Sequence, residues 1–302
     1  IGTTVGEAQE IEKIDYIWAK QGADKVDRAH IMKYPVNNIA SNVANVLKLE
    51  CLNRMFTTAC AAGNYAIGYG LDLIQLGKVQ MALVGGADSF SYQAFTGFNQ
   101  VRAVAPEKCQ PFDKNRKGMM VGEGAGMLIL ETLENALKRK ASIYAEILGY
   151  GLSCDANHMT NPHPDGITRC INAALQNAGL TYKDVDYICA HGTGTVFNDL
   201  AESKAINNVF KERTLEIPVN SLKSMLGHTM GSASAIEAIS CCLTVKNGMI
   251  PPTINFETPD PECRVDCVPN LARKKNVRIA LNNAFAFGGN NSCLVIKKYE
   301  RA

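Results

Sequence analysis

The sequence lacks an excess of charge of either sign. Its 31 lysine and arginine residues nearly balance its 29 aspartate and glutamate residues, which gives a formal net charge of +2 at pH 7. A strongly basic nucleic-acid-binding protein and a disordered acidic chain are therefore excluded. Apolar residues make up 46% of the chain, a share typical of a globular protein that buries a core.

A long uninterrupted hydrophobic run is also missing. The longest stretch of low charge, 57–77, is broken by Asn64, Asp72 and several glycines, so we expect no membrane span. Glu7 and two further glutamates follow closely on the first residues, which does not fit the basic and apolar pattern of a signal peptide.

No CxxC pair is present, although the chain has eleven cysteines. Cys263 and Cys267 have CxxxC spacing, but no matching Cys or His pair lies near them in the sequence. We therefore expect ordinary thiols there and no metal site. An odd number of cysteines without a pairing pattern is typical of a reducing compartment, so we expect a cytoplasmic protein.

Segments typical of strands and helices alternate along the chain. A strand-like run at 51–58 leads into small residues and a helix that ends near Leu76, and a buried apolar strand follows at 79–84. This order is typical of an α/β fold. Similar segments recur in the second half, so we predict two α/β domains, 1–141 and 142–302.

Cys60 occupies the point where an extended run becomes a helix. A thiol at a helix amino terminus faces unpaired backbone N–H groups and the positive end of the helix dipole, and both favour the nucleophilic thiolate. The neighbouring alanines and glycine would let a substrate approach closely. The alternative interpretation is a small buried cysteine at a tight turn, and this feature alone does not decide between them.

Two histidines lie beside glycines at the ends of expected elements. His191 follows a buried strand at 185–190 and opens a Gly/Thr loop, in which the Thr193 and Thr195 hydroxyls could hold a polar ligand chain. His228 precedes a helix of small residues, where the dipole disfavours the imidazolium, so we expect a neutral imidazole. Each histidine alone fits a hydrogen-bonded core or loop residue at least as well.

Lys223 and a glycine-rich aromatic loop complete the set of candidates. Lys223 could pair with Glu237 and set the charge of a nearby His or Cys, although a solvated lysine is the simpler interpretation. The loop at 285–289 could turn backbone amides towards a developing oxyanion, or it could be a hairpin turn between two strands.

Several short motifs follow one another along the chain: TACAAG at 58–63, PFD at 111–113 with Arg116, GEG at 122–124, AHGTGT at 190–195 with Asn198, Asp199 and Glu202, KSMLGH at 223–228 and the loop at 283–291. Together they resemble the β-ketoacyl-acyl-carrier-protein synthases, the elongating condensing enzymes of fatty acid and polyketide synthesis. The resemblance is collinear and runs from near residue 1 to residue 300.

The resemblance implies a fold and a reaction. The fold would be thiolase-like, with two similar α/β halves packed in five layers, usually in a homodimer. Cys60 would take an acyl chain from a carrier protein as a thioester, and His191 and His228 would assist decarboxylation of a malonyl-carrier thioester. The resulting carbanion would attack the acyl group on Cys60, which gives a β-ketoacyl product and carbon dioxide.

The resemblance also implies how the reacting atoms are held. The backbone N–H groups of Cys60 and Phe287 would bind the acyl oxyanion, and the two imidazoles would bind the enolate oxygen. Phe287 would also gate the site, with Phe285 and Gly288 beside the substrate.

Further matched residues would bind the carrier's arm and support the histidines. Thr193 and Thr195 would contact the phosphopantetheine arm, and Lys223 and Glu237 would form the supporting pair. Because the arm is part of the substrate, the resemblance implies no free cofactor, and the expected partner is an acyl carrier protein.

The sequence departs from the family pattern at Ala286 and Asn290, where glycine and threonine are usual. A Cβ at residue 286 would narrow the φ angles open to the gating loop. The segment that normally supplies the first strands of the amino-terminal half is also missing, which would leave sheet edges unpaired. We therefore expect another polypeptide, or a further segment of the same gene product, to complete this half of a homodimer or heterodimer.

Two other functions are compatible with the motifs. A chain-length-setting subunit would be non-catalytic, but such relatives usually replace the nucleophilic cysteine that this chain retains as Cys60. A thiolase would need a second catalytic cysteine, and a chain-initiating synthase acting on coenzyme A thioesters favours a His and an Asn. Because His228 supplies a second histidine, decarboxylative elongation remains the main prediction.

Overall fold

The computed structural model describes residues 1–300 as a mixed α/β protein. Within these residues the helices are α1 (Ala8–Gln21), α2 (Arg28–Lys33), α3 (Asn37–Leu47), α4 (Ala62–Gln75), α5 (Tyr92–Gln100), α6 (Leu133–Lys138), α7 (Pro164–Asn177), α8 (Val196–Phe210), α9 (Lys223–Leu226) and α10 (Ala233–Asn247). The strands are β1 (Met81–Asp88), β2 (Gly124–Glu131), β3 (Glu146–Cys154), β4 (Tyr187–Cys189), β5 (Val219–Asn220), β6 (Met249–Ile250), β7 (Arg273–Lys274), β8 (Ile279–Phe285) and β9 (Asn290–Lys297).

The larger sheet lies in the carboxyl-terminal half and has the strand order β3-β9-β8-β4-β5. Strand β4 is parallel to both β5 and β8, whereas β9 is antiparallel to β8 and β3. The parallel strands therefore end at one edge of the sheet, where α/β proteins place functional groups. His191, Lys223 and Phe287 follow within three residues of the ends of β4, β5 and β8, respectively.

The smaller sheet lies in the amino-terminal half and pairs β1 with β2 in antiparallel register from Met81–Glu131 to Asp88–Gly124. Gly2 adds isolated parallel bridges to Gly86 and to Phe56. Within residues 1–300 this sheet has two strands.

Helices α4 and α10 pack between the two sheets and bring the halves together. They cross closely at Gly63, where a Cβ would lie 2.7 Å from the backbone nitrogen of Ala235. Glycine at this position lets the helix that carries Cys60 at its start lie against the helix that follows His228. The crossing thus connects the two parts of the chain that carry candidate catalytic residues.

Helices α7 and α8 cover the outer face of the larger sheet. Helix α7 buries one apolar face at the helical spacing i, i+3, i+4, i+7 and i+8, formed by Ile167, Cys170, Ile171, Ala174 and Leu175. A second apolar cluster fills the space between the sheets and includes Ile67, Cys241 and Leu294. The outer helices, the large sheet, the paired inner helices and the small sheet thus form four of the five layers that the resemblance implies.

Two predictions about strands are wrong. The run at 51–58 is not a strand; its backbone pairs with residues 1–3 only, through an isolated bridge between Phe56 and Gly2 and a hydrogen bond from the Ile1 amino group to the carbonyl oxygen of Arg54. Strand β1 also continues through Gly85 and Gly86 instead of ending there. Glycine is required at 86 because a Cβ would lie 2.5 Å from the carbonyl oxygen of Gly231.

The segment between α6 and β3 contains residue 141, and the division of the chain into 1–141 and 142–302 stays a prediction. Among the residues that the structure describes, no helix has both the length and the apolar character required to cross a bilayer.

Candidate active site

Cys60 lies in a 3₁₀ turn, Ala59–Ala61, that leads directly into α4. Ala59 has a φ of +48°, in the left-handed region that a non-glycine residue rarely adopts. Such local strain persists only where the surrounding structure holds the backbone in place, and it is concentrated at functional sites. The turn presents the buried Cys60 side chain to a cavity at the edge of the larger sheet.

Cys60, His191 and His228 converge in this cavity. The Cys60 Sγ and the nearest imidazole nitrogens all lie within 4.8 Å of one another, although 131 residues separate Cys60 from His191 along the chain. The two imidazole rings meet edge to face, with centroids 5.5 Å apart and planes at 83°. One sulfur and two imidazoles are thus close enough to contact the same small group.

One ring nitrogen of His228 accepts a hydrogen bond from the backbone. The N–H of Met230 donates to His228 Nδ1 at 3.1 Å, so a neutral His228 carries its proton on Nε2. That Nε2 is buried and has no hydrogen-bond partner among residues 1–300. His228 therefore offers an unpaired N–H donor beside Cys60.

His191 has the same tautomer for a different reason. Lys223 Nζ lies 3.4 Å from His191 Nδ1, and an ammonium can only donate, so a neutral His191 also carries its proton on Nε2. Burial lowers the pKa of both histidines well below the ordinary value, and the positive charge of Lys223 lowers it further. Both imidazoles are therefore neutral at pH 7, as predicted for His228, but burial rather than the helix dipole is the main cause.

A buried carboxylate fixes the backbone of the His191 loop. Glu202, on α8, accepts hydrogen bonds from the backbone N–H of His191 at 2.9 Å and of Gly192 at 2.8 Å. Burial raises the pKa of Glu202 to about 7, although the two N–H donors oppose that shift. Sequence reasoning named Glu202 as part of a motif and did not identify this contact.

Lys223 and Glu237 form a buried ion pair, with Nζ and Oε1 2.5 Å apart. Burial alone would lower the pKa of Lys223, but the neighbouring carboxylate outweighs it and the pKa is raised, so Lys223 stays protonated. Neither side chain lines the main cavity; the pair lies behind His191 and beside a second, smaller pocket. The interpretation of Lys223 as a solvated lysine is wrong.

The expectation of a resting Cys60 thiolate is not met by the structure. Burial raises the pKa of the Cys60 thiol to about 12, and the charge of Lys223 opposes that shift only in part. The electrostatic benefit of a helix amino terminus is too small to offset removal of the thiolate from water. Cys60 therefore rests as a neutral thiol and becomes nucleophilic only as its proton leaves.

The residues predicted to contact the arm and the substrate lie in the same cavity, with one exception. Thr193, Thr195, Phe285 and Phe287 line its wall, together with Gly289. Thr193 Oγ1 and Thr195 Oγ1 are 2.8 Å apart and hydrogen-bond to each other. Gly288 does not line the cavity.

Gly288 instead supports the shape of the loop. Its φ is +80°, and its N–H donates to the carbonyl oxygen of Met159 at 2.8 Å. Cys60 and Phe287 both lie in the first turn of short 3₁₀ helices, where N–H groups have no intrahelical partner. The two N–H groups proposed for the oxyanion are therefore not used by helical hydrogen bonds.

Several lining residues were not predicted from the sequence: Phe98, Ala103, Met119, His158, Met159, Thr160, Pro162 and Asn198. Phe98 comes from α5 and packs against Phe287 with ring centroids 5.4 Å apart. Asn198 belongs to the motif that begins with AHGTGT at 190–195. Its place in that motif is the one sequence signal that could have identified it as a lining residue. The others lie in segments without a distinctive pattern, and only the tertiary structure brings them to the site.

Cys60, His191 and His228 are also a possible set of metal ligands, since thiolate and imidazole are ligand types of zinc. The ligand atoms of a tetrahedral zinc site are about 3.5 Å apart. Separations of up to 4.8 Å and a thiol whose pKa is raised mean that the set would have to contract and lose a proton to bind zinc. The absence of a resident metal stays a prediction, and no chemical step is derived through one.

The fold is thiolase-like, and the chain belongs to the β-ketoacyl synthase family. Residues 1–136 match the family model for the β-ketoacyl synthase N-terminal domain, and residues 144–257 match the model for its C-terminal domain.

Relatives with assigned names support the same family. The chain is 40% identical over 310 residues to 3-oxoacyl-[acyl-carrier-protein] synthase 2 of Synechocystis sp., a match that covers 99% of this chain and 74% of that protein. It is 44% identical over 243 residues to nodulation protein E of Rhizobium sp. (strain N33), covering 80% of this chain and 60% of that protein. The chain thus spans less than two thirds of the length of the latter relative.

A solved structure described as the ishigamide ketosynthase/chain length factor has the same fold. It matches with a TM-score of 0.97 and 46% sequence identity, over 99% of this chain and 74% of that chain. The similarity includes both halves and therefore all the residues of the candidate site.

Proposed function

We propose that the protein catalyses decarboxylative Claisen condensation of an acyl thioester with a malonyl-acyl-carrier-protein, in fatty acid or polyketide synthesis. The observation that carries this proposal is the convergence of Cys60 with two neutral imidazoles, His191 and His228, within 4.8 Å. Family membership supports it, because the matched relative from Synechocystis is named as a synthase of this kind.

The first half-reaction exchanges thioesters. Cys60 Sγ attacks the acyl carbonyl carbon, the carbon–sulfur bond to the carrier breaks, and the proton of the Cys60 thiol ends on the departing carrier thiol. The tetrahedral oxyanion accepts hydrogen bonds from the backbone N–H groups of Cys60 and Phe287. Because Cys60 rests as a thiol, this proton transfer accompanies attack.

The second half-reaction forms the carbon–carbon bond. A malonyl thioester loses carbon dioxide, and the enolate oxygen that develops accepts hydrogen bonds from Nε2–H of His191 and of His228. The enolate carbon attacks the acyl group on Cys60, and collapse of the adduct expels the Cys60 thiolate, which takes a proton from water. Neutral histidines suit this role because each keeps an N–H donor directed at the developing charge. The reaction needs no free cofactor.

Intact-mass measurement of the protein tests the proposal. After exposure to a panel of acyl carriers, we expect one acyl adduct, and malonyl carrier should then release carbon dioxide. C60A should form neither the acyl adduct nor the β-ketoacyl product, whereas C51A, which removes an exposed cysteine, should form both. Absence of an adduct and of carbon dioxide with every carrier, or an adduct that persists in C60A, would overturn the proposal.

The two alternative functions have less support. A thiolase needs a second cysteine at the reacting atoms, but among the described residues that line the cavity Cys60 is the only cysteine. A non-catalytic subunit has no need of a strained turn that presents a thiol to two imidazoles. The assay above also separates them, since a thiolase would use coenzyme A thioesters and a non-catalytic subunit would form no adduct.

We also propose that the enzyme works as a dimer with a second ketosynthase-type chain. Helix α5 exposes Tyr92 and Phe95, and Phe98 on the same helix lines the cavity. A second chain that packs against α5 would therefore cover apolar surface next to the site. The solved ketosynthase/chain length factor supports such a pairing. Light scattering of the purified protein tests it, and mass spectrometry distinguishes a second copy from a related chain.

A cytoplasmic location is part of the proposal. Its support is chemical: each of the eleven cysteines is a free thiol, and a reducing compartment keeps thiols in that state.

A further inference from the structure

Asn198 contributes an amide to the wall of the cavity. It lies in the first turn of α8, three residues after Thr195, and only 6% of its surface is exposed. Thr193 and Thr195, which the family resemblance assigns to the carrier's arm, line the same cavity. A third polar side chain therefore accompanies the two hydroxyls.

The orientation of this amide is fixed by a neighbouring carboxylate. Asn198 Nδ2 donates to Asp199 Oδ1 at 3.0 Å, and the Asp199 carboxylate also accepts from the backbone N–H of Gly194 at 3.2 Å and of Phe112 at 2.8 Å. Because a carboxylate accepts and does not donate, the NH₂ of Asn198 must face Asp199. Its carbonyl oxygen is then left as the polar atom available to the cavity.

The Asn198 oxygen has no hydrogen-bond donor among residues 1–300, unlike the two threonine hydroxyls, which bond to each other. This oxygen is not fully buried, so a ligand in the cavity that brings an N–H to it gains a hydrogen bond. A pantetheine arm carries amide N–H groups, and the amide nearest the thioester is separated from the sulfur by a two-carbon linker. Asn198 lines the same cavity as Cys60, so an arm whose thioester reaches Cys60 shares this cavity with the Asn198 amide.

We propose that Asn198 Oδ1 accepts a hydrogen bond from the amide N–H of the pantetheine arm nearest the thioester sulfur. Asn198 is then a specificity-determining residue that distinguishes amide-bearing thioesters from other acyl thioesters. The inference rests on the proposed function, because it requires acylation of Cys60, and it adds the chemical group by which the arm is selected.

The contact is tested by a thermodynamic cycle in which the acyl donor and residue 198 are each changed. The two acyl donors are an S-acyl-N-acetylcysteamine and its ester counterpart, the S-acyl thioester of O-acetyl-mercaptoethanol, which replaces the N–H by an oxygen. With the wild-type protein we expect acylation of Cys60, measured as kcat/KM by intact mass, to be about 10-fold faster for the amide. With N198L the two donors should react at the same rate, because the acceptor is gone.

The control for this substitution is N207L. Asn207 lies on the same helix, but its amide donates to the carbonyl oxygens of Ser203 and Arg264 and does not line the cavity. N207L should keep the preference for the amide. If N198L does not fold, N198A serves in its place, because the measured quantity is a ratio of two substrates on one protein.

The outcomes separate this inference from the proposed function. Equal preference in the wild type and the Asn198 variants, or no preference in the wild type, overturns the role of Asn198 while leaving acylation intact. Failure of the wild type to be acylated by either donor or by any acyl carrier overturns the proposed function itself.

Discussion

Lys223 Nζ lies 2.5 Å from Glu237 Oε1, and both side chains are almost completely buried. The same ammonium lies 3.4 Å from His191 Nδ1, so one buried charge both pairs with a carboxylate and fixes the tautomer of a catalytic candidate. A buried pair of this kind contributes little net stability, but loss of one partner leaves an uncompensated charge.

Substitution of Lys223 should therefore destabilise the protein strongly. We expect K223M to lower the free energy of unfolding by about 3–5 kcal/mol, because Glu237 is left buried without its partner. The double variant K223M/E237M should recover most of that loss, since neither charge remains. Urea unfolding of the two variants measures this difference; equal stability would contradict it.

The same substitution should change the pH dependence of catalysis. Lys223 helps to keep the pKa of His191 and His228 below the ordinary value, so K223M should raise both pKa values. We expect the acid limb of the pH–rate profile for carbon dioxide release to move to higher pH in K223M. An unmoved limb would mean that burial alone sets the charge of these histidines.

Below about pH 6.5 the two buried histidines should each contribute a fall in the stability of the folded protein, which the raised pKa of Glu202 and of Glu237, about 7 for each, opposes. In the unfolded chain each histidine binds a proton near that pH, whereas burial keeps His191 and His228 neutral in the fold. At each of these two histidines the unfolded state binds more protons, so each contributes a fall of about 1.4 kcal/mol per pH unit to the free energy of unfolding. Urea unfolding between about pH 5 and pH 6.5 measures this slope.

Single substitutions assign the slope to the buried histidines. H228F should reduce it by about 1.4 kcal/mol per pH unit, because one titrating group is removed from the unfolded chain. H163F, at a more exposed histidine that is not part of the cavity, is the matched control and gives the comparison slope. A reduction of the same size in both variants would count against a special role for buried imidazole.

Glu202 should matter for catalysis although it does not line the cavity. In E202A the backbone N–H groups of His191 and Gly192 lose their acceptor, and we expect a loss of about 1–3 kcal/mol in stability together with a lower kcat for carbon dioxide release. E216A, at an exposed glutamate, should leave both quantities unchanged. Unchanged kcat in E202A would mean that the His191 loop holds its shape without the carboxylate.

Ala286 should be destabilised by the loss of its Cβ, whereas Gly288 should be destabilised by the gain of one. Ala286 has extended backbone angles, φ −114° and ψ 157°, and its Cβ packs in a small cluster with Cys60, so A286G should cost about 0.5–1 kcal/mol of stability. Gly288 has a φ of +80°, and the nearest atom to an added Cβ is 3.6 Å away, so G288A should cost about 1–2 kcal/mol through backbone strain. Thermal unfolding of both variants, each compared with the wild type, checks the two values.

Most helices could be predicted from the sequence because their periodicity and end signals are local. Helical spacing predicts helices at 9–21 and 166–178 and one that ends near Leu76, and the structure gives α1 at Ala8–Gln21, α7 at Pro164–Asn177 and α4 at Ala62–Gln75. The strand predicted at 51–58 is wrong because a strand also requires a neighbour, which a local pattern cannot reveal. For the same reason the continuation of β1 to Asp88 followed from pairing with β2 and not from its own residues.

The sequence by itself determined which residues are candidates for the chemistry: a cysteine just before a helix, two histidines beside glycines and a lysine between them in a collinear set of motifs. Only the tertiary structure decided that Cys60 rests as a neutral thiol, that Lys223 fixes a tautomer and that Asn198 offers a free oxygen to the cavity. The physical reason is that motifs depend on neighbours along the chain, whereas desolvation and hydrogen bonding depend on neighbours in space.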